Sequence, residues 1–327
     1  MKIAFFKPHK LARDYIKEWE EENNIKVDIF DESLNNQNIK NLSDYDGLAM
    51  SVYVKLDDNM YSKLSDLGIK QISITSVGYE KLDLDKATEN NLIVTNVPNY
   101  SPESIAEFTI MMILKALKHD KNISKNLENK DYRQNENILS ETFKGKTLGI
   151  YGLGRIGQHV TKLASAFGAE VVSYSSRGKK DVVGVKFLNS YDELFEKSDI
   201  ISIHSALTDK NYHIFNKETF DKMKDGAILI NCARGGLVNT KDLLDAIDSG
   251  KIAFAGLDVY ENEKEINGKV NPEYNDEVFD RLISDDKIDY YPHISYFTKT
   301  SLENQVKFAL DSVVEVLETG DSKNRVN

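Results

Sequence analysis

The sequence predicts an α/β protein built on doubly wound parallel sheets. Two observations carry that expectation: strand-like and helix-like runs alternate along most of the chain, and one strand opens into a glycine-rich turn followed by a helix. At 327 residues with 40% hydrophobic content, the chain can form two domains and fill two cores.

Taken in order, the first hundred residues carry β-rich runs at 3–6, 27–30, 47–52 and 69–75 and a helical pattern at 11–22. This alternation implies a parallel sheet with helices on both faces. No phosphate-type glycine spacing occurs in this half, so it is expected to supply substrate contacts rather than a second nucleotide site. His9, just past the first run, reads as a surface or loop-packing residue. The segment Asn99-Tyr100-Ser101-Pro102-Glu103 reads as a helix start, because Ser101 can cap, Pro102 suits the first helical position and Glu103 complements the dipole. A hinge is expected just before it. The helix then places Ile105, Phe108, Thr109, Met112, Ile113 and Ala116 at three- and four-residue steps. Core packing accounts for that stripe; an interface helix is the alternative, since 119–137 is polar and the helix has apolar surface to spare.

The run Leu148-Gly149-Ile150-Tyr151 leads into Gly152-Leu153-Gly154-Arg155-Ile156-Gly157, with Val160, Leu163, Ala164 and Phe167 following at helical spacing. A flexible glycine loop would share the spacing alone, but a strand before and a helix after are what a dinucleotide-binding turn requires. Gly152 would allow the tight reversal, Gly154 the approach of a pyrophosphate and Gly157 close packing of the helix at 158–167, whose N-terminus favours negative charge. Strands then recur at 170–174, 199–204, 227–232, 254–260 and 288–292. The polar stretch 261–286 reads as a surface excursion with some helix near 278–283, and 301–317 as a final amphipathic helix.

Composition narrows the partners. Forty-two basic and fifty-three acidic residues give a formal charge of -11, which argues against nucleic acid as a general partner. The lone Cys232 cannot form an internal disulfide, which fits a reducing, cytoplasmic location. No stretch approaches the roughly eighteen apolar residues of a membrane span, the start of the chain reads as a strand rather than a signal peptide, and no metal site is expected.

Open parallel sheets bind ligands at the carboxyl ends of their strands. Arg234, Glu263 and His293 each follow a predicted strand, and all three would lie on one sheet edge. Arginine can grip a carboxylate with two parallel bonds, histidine is the usual proton donor near neutral pH, and a carboxylate beside it orients it. Taken singly, Arg234 also reads as a surface ion-pair partner, Glu263 as one acid of a solvated run and His293 as a loop histidine. Cys232 reads as backbone lining of a cofactor groove rather than as a nucleophile, because its motif holds no polarising partner.

Together, Gly152-Leu153-Gly154-Arg155-Ile156-Gly157, Asn231-Cys232-Ala233-Arg234-Gly235-Gly236, Asp258-Val259-Tyr260-Glu261 and Pro292-His293 resemble the D-isomer-specific 2-hydroxyacid dehydrogenases over nearly the whole chain. The stretches 75–84 and 96–102 resemble the family's D-lactate dehydrogenase branch. The resemblance implies a Rossmann cofactor domain at 100–297 inserted in a flavodoxin-like substrate domain at 1–99 and 298–327, with the helix after Ser101 at a homodimer interface. It implies that Arg234 binds the substrate carboxylate, His293 acts as general acid and Glu263 holds His293. Backbone N–H groups of Val77 and Gly78 and the Tyr100 hydroxyl would grip the carboxylate, while Tyr53 and Tyr296 would line the side-chain pocket. Domain closure would exclude water. A bulky Tyr53 should favour pyruvate over branched 2-keto acids. Cofactor-binding positions by the same resemblance are Gly152, Gly154, Arg155, Ile156, Gly157, Ser175, Ser176, Arg177, His204, Ser205, Ala206, Asn211, Cys232, Ala233 and Asp258, with Asp258 also supporting the site from behind.

Two departures matter. The strand at 170–174 should end in an acid for the ribose 2′-hydroxyl, but Ser175-Ser176-Arg177-Gly178-Lys179-Lys180 follows. Hydroxyls and cations suit a 2′-phosphate, so NADP is the expected cofactor with NAD also possible; a solvated basic turn is the alternative. Ala206 stands where the family often has proline, which should loosen that loop without removing its hydrogen bonds. Competing functions are a branched-chain 2-hydroxyacid dehydrogenase, opposed by Tyr53, and a dinucleotide-sensing binding protein without turnover.

Overall fold

The computed structural model describes residues 1–327 except Arg177, Lys179 and Lys180. In chain order the elements are β1 Lys2–Phe6, α1 Arg13–Asn23, β2 Lys26–Phe30, β3 Gly47–Met50, α2 Met60–Asp66, β4 Gln71–Ile74, α3 Leu84–Glu89, β5 Ile93–Thr95, α4 Pro102–Leu117, α5 Asp120–Glu128, β6 Thr147–Tyr151 and α6 Arg155–Ala166. There follow β7 Glu170–Ser173, β8 Val185–Phe187, α7 Tyr191–Lys197, β9 Ile200–Ile203, α8 Lys217–Lys222, β10 Ala227–Asn231, α9 Thr240–Asp248, β11 Ile252–Leu257, α10 Glu277–Ser284, β12 Ile288–Tyr290 and α11 Lys299–Thr319. They form two compact units, Met1–Ser101 with Phe297–Asn327, and Pro102–Tyr296.

The first unit holds a parallel sheet in the order β2-β1-β3-β4-β5. β3 and β4 are buried along their whole length, as strands covered on both faces must be. One face packs on Leu42, Met60, Tyr61 and Leu64, and the other on Ile16, Trp19 and the α11 residues Val306, Leu310 and Val313. The Trp19 indole N–H donates to Asp311 Oδ1 at 2.8 Å, so α1 and α11 are joined by a hydrogen bond as well as by apolar contact. The chain end covers the β5 edge: Val94 N–H donates to the Asn327 side chain at 2.8 Å and Val326 N–H to Val94 O at 2.9 Å.

The second unit's sheet runs β12-β11-β10-β9-β6-β7-β8 among the described residues, every neighbouring pair parallel. Its order reverses between β6 and β9, the place where strand ends part and leave a crevice for a ligand. β9 and β10 are wholly buried. Tyr151, Phe195, Phe215 and Leu243 fill one face, while Ile110, Met112, Ile113, Val160 and Ala164 fill the other. The stripe on α4 is therefore core, with Met111 beside it 36% exposed. Features that differ from the sequence expectation include β11, which runs Ile252–Leu257 where the sequence predicts a strand at 254–260. The polar segment after α4 folds as α5, held by Lys121 Nζ donating to Asp285 O at 2.8 Å. The three-residue strands β5 and β8 lie at sheet edges. The last strand ends at Tyr290 rather than 292, because His293 turns the chain with a φ of 57°.

Candidate active site

The glycine turn after β6 is built as a dinucleotide requires. Gly152 has a φ of 101°, and a Cβ there would lie 2.5 Å from the backbone nitrogen of Ser205, so no side chain fits where the β6 and β9 ends meet. A Cβ at Gly157 would stand 2.6 Å from Gly152 O, which makes that glycine a helix-packing requirement. Gly154 faces open space and precedes α6 with no side-chain cap, leaving the N-terminal N–H groups of a twelve-residue helix for an anion. Arg155 and Ile156 begin that helix. These residues fit a bound pyrophosphate.

Beyond β7, Ser175 is partly buried and Ser176 exposed, in a turn closed by Gly178 N–H donating to Ser175 O at 3.2 Å. Arg177 lies outside the described residues. After β9, His204 Nε2 lies 2.8 Å from Ser202 Oγ, and burial pushes the imidazole down to about 3. Asn211 braces this loop: its Oδ1 accepts from Thr208 N at 2.6 Å and its Nδ2 donates to Ala206 O at 2.8 Å. Ala206 keeps that bond without a proline.

The end of β10 forms the next piece. Ala233 N–H donates to Asn231 Oδ1 at 2.9 Å and Asn231 Nδ2 to Arg234 O at 3.0 Å, so one side chain folds the turn that carries Arg234. A Cβ on Gly235 would stand 2.1 Å from the Tyr260 carbonyl carbon, which sets this turn directly on the segment after β11. Arg234 is partly buried and donates through Nη1 to Ala233 O at 2.8 Å. Cys232 is buried and receives the Thr109 hydroxyl at 3.3 Å; burial first, then the Asp258 charge, pushes its thiol far up, which excludes an activated nucleophile.

Glu263 and His293 come together. Glu263 Oε1 lies 2.9 Å from His293 Nδ1, and Oε2 accepts the Tyr260 N–H at 3.3 Å. His293 is held from below by Asp258, whose carbonyl accepts the His293 N–H at 2.7 Å. The Asp258 carboxylate is fully buried and accepts the N–H groups of Ile294 and Ser295 at 2.7 and 3.0 Å. Burial pushes its carboxyl up against the opposing pull of those donors and of His293. Asp258 thus shapes the His293 turn, and its hydrogen bonds go to protein. Tyr296 stands edge-on to the His293 ring at 6.1 Å. Ser202 and Ser295, which anchor His204 and the Asp258 carboxylate, carried no sequence signal, since a lone serine in or after a strand has no distinguishing pattern.

In the first unit, the remaining predicted positions all follow strand ends. Tyr53, beyond β3, is 53% exposed with Lys81 Nζ 5.3 Å from its ring centroid. Val77 and Gly78, beyond β4, are shaped through their carbonyls, which accept Asn96 Nδ2 at 2.8 Å and Ser76 Oγ at 2.7 Å. Tyr100, beyond β5, is partly buried, and its carbonyl accepts Asn304 Nδ2 at 2.6 Å. His9 accepts the Leu11 N–H and packs edge-on to Phe297 at 5.0 Å, the loop-packing role expected of it. Among the described residues no helix is long and apolar enough to cross a membrane, and no group of three His, Cys, Asp or Glu residues is placed to hold a metal ion.

A parallel sheet with a dinucleotide turn after β6, and a carboxylate–histidine pair beyond β11 and β12 of the same sheet, define a nicotinamide-dependent oxidoreductase of the doubly wound class. Residues 110–295 match the D-isomer specific 2-hydroxyacid dehydrogenase, NAD binding domain. The chain is 38% identical to a D-lactate dehydrogenase of Streptococcus pyogenes serotype M1, covering 100% of both, and 35% identical to one of Staphylococcus aureus, covering 100% of this chain and 99% of that protein. Among solved structures it resembles D-lactate dehydrogenase with NAD+ from Lactobacillus jensenii, at 32% identity, TM-score 0.93 and coverage of 100% and 99%. It also resembles D-2-hydroxyisocaproate dehydrogenase, at 31% identity, TM-score 0.94 and the same coverage. The chain belongs to the D-isomer-specific 2-hydroxyacid dehydrogenase family.

Proposed function

We propose that the chain is an NAD(P)-dependent D-lactate dehydrogenase that interconverts pyruvate and D-lactate. The observation that carries this reading is the 2.9 Å Glu263–His293 pair, at the strand end next to the Arg234 turn, in a chain that aligns end to end with D-lactate dehydrogenases. A bound nicotinamide dinucleotide supplies or takes up the hydride. Arg234 binds the substrate carboxylate through parallel N–H bonds and stabilises the charge that grows on the carbonyl oxygen. His293 holds a proton on Nε2 and delivers it to that oxygen during reduction, and takes it back during oxidation. Glu263 fixes the ring and its tautomer through Nδ1.

Val77 and Gly78 N–H groups and the Tyr100 hydroxyl serve the substrate carboxylate, and Tyr53 and Tyr296 bound the space for its side chain. A tyrosine at 53 leaves room for a methyl group, so pyruvate is preferred over branched 2-keto acids by about 1 to 3 kcal/mol. Ser175 and Ser176 replace the acid expected after β7 and accommodate a 2′-phosphate, so NADPH is accepted and preferred over NADH. The exposed Met111, with the half-buried Leu114 on the same helix, supports a homodimer through α4, and a single buried thiol supports a cytoplasmic setting.

Initial rates of pyruvate reduction with NADPH and NADH in parallel, with 2-ketoisocaproate as a second substrate, test this. Faster turnover of pyruvate with NADPH is the expected result; faster turnover with NADH overturns the reading of Ser175 and Ser176 alone. Binding of dinucleotide without reduction of either acid overturns the dehydrogenase reading in favour of a dinucleotide sensor. Light scattering of the eluted protein tests the dimer.

A further inference from the structure

Glu261 uses both of its carboxylate oxygens. Oε1 accepts the N–H of Thr240, the first residue of α9, at 3.0 Å, and Oε2 lies 2.9 Å from His213 Nε2. Both side chains are largely withdrawn from solvent, at 18% and 24% exposure. His213 takes a φ of 51°, a left-handed conformation that a non-glycine residue keeps only where its surroundings impose it. Those surroundings are specific. Its N–H donates to Gly236 O at 2.8 Å, its carbonyl accepts Asn216 Nδ2 at 3.0 Å, and its ring stacks on Tyr212 with centroids 3.9 Å apart. A Cβ on Gly236 would lie 3.3 Å from the Tyr212 ring, and one on Gly235 would lie 2.3 Å from Glu261 N. Three segments therefore converge on this pair: the turn that carries Arg234, the loop of Tyr212 and His213, and the loop from Tyr260 to Glu263.

We propose that Glu261 and His213 are positioning residues for the reaction, holding the Arg234 turn in register with the loop that carries Glu263. The inference rests on the roles given above to Arg234, Glu263 and His293. These loops leave three different strands, β10 for the Arg234 turn, β9 for the loop of Tyr212 and His213, and β11 for the loop from Tyr260 to Glu263. Glu261 stands two residues before Glu263, so a displacement of Glu261 is passed to the carboxylate that holds His293. On the other side, His213 grips the backbone of Gly236, two residues beyond Arg234. The hydrogen-bonded pair closes the distance between the carboxylate-binding group and the proton donor, a distance that neither strand sets alone.

Misplacement of a reacting group by about an ångström can cost about a hundredfold in rate, so loss of this pair should be read in turnover before it is read in folding. Glu261→Ala is expected to lower kcat for pyruvate by about tenfold or more, with the KM for the dinucleotide unchanged. Glu261→Gln keeps an acceptor for Thr240 and a polar contact for His213, and is expected to recover activity to within about threefold of wild type. His213→Ala should match Glu261→Ala, and the double variant should lose no more than either, as residues acting as one unit do. The proposal is overturned if Glu261→Ala leaves kcat within about twofold of wild type, if its loss only follows the unfolded fraction, or if the two losses multiply. A long-range 1H–15N spectrum of the imidazoles reads the pair without turnover. In Glu261→Ala the His293 ring signals should move along with those of His213, and movement of His213 alone overturns the proposal. If wild type reduces no 2-keto acid, the proposed activity fails, and the spectrum still decides the positioning.

Discussion

His204 should make the apo protein acid-labile by an amount that the structure sets. It closes β9 beside the glycine turn, its Nε2 is engaged with Ser202 Oγ at 2.8 Å, and its Nδ1 is sealed from solvent without a hydrogen-bond partner among the described residues. Protonation would leave a buried charge with an unsatisfied N–H, and burial accordingly pushes the imidazole down to about 3. In the unfolded chain it titrates near 6.5. The folded value of this base is depressed, so the unfolded state binds the extra proton. Its contribution is therefore present above about pH 6.5, is lost as pH falls from there towards about 3, and is constant below. At pH 5 the unfolded state is favoured by RT ln(1 + 10^1.5), about 2 kcal/mol, relative to pH 7.5. Urea unfolding of the dinucleotide-free protein at both pH values, alongside His204→Gln, isolates this part, because every other titrating group is common to both proteins. The variant should lose about 2 kcal/mol less than wild type on acidification. Equal losses in the two proteins would refute the buried neutral imidazole.

Three other outcomes follow from the geometry. Gly235→Ala puts a Cβ 2.1 Å from the Tyr260 carbonyl carbon, backbone that cannot yield, and should cost about 3 kcal/mol or more in unfolding free energy together with turnover; a fully active, equally stable variant would contradict the contact. Cys232, buried and bonded by Thr109, should resist iodoacetamide at pH 8 in the folded protein and react once urea unfolds it, followed by mass spectrometry. Gln71 is fully buried in β4, neither polar atom of its amide has a partner among the described residues, and Gly47 lies against both that amide and Val313 and Leu317 of α11. Gln71→Met should therefore raise stability by about 1 kcal/mol, seen as a higher urea midpoint at unchanged slope.

The strands that the sequence marks are those whose own composition demands burial. The four-residue β9 and the five-residue β10 are apolar along almost their whole length, and only a parallel sheet covered on both faces accommodates such runs. β8 escaped because its pairing with β7, not its own composition, makes it a strand, and β5, although Ile-Val-Thr favours a strand, is only three residues long. α5 escaped because its polar side chains secure it through distant groups, Asp285 O and Asp286, which no local pattern announces.

The site divides along the same line. Arg234, Glu263 and His293 were legible as ionisable residues just past strand ends, since strand direction alone assigns them to one sheet edge. What spacing could not assign is which acid serves which histidine. Glu261 and Glu263 are the same residue type two positions apart, and a chain leaving a strand can aim either one at either histidine. The folded chain sends Glu263 to His293 and Glu261 to His213, each at 2.9 Å. That choice is made by Gly235, whose bare α-carbon lets the Arg234 turn press against Tyr260 and Glu261 and so leaves Glu261 facing Thr240 and His213. A glycine pair that reads in sequence as room for a substrate thus also sorts the two carboxylates, a role visible only once the neighbouring strand's backbone is in place.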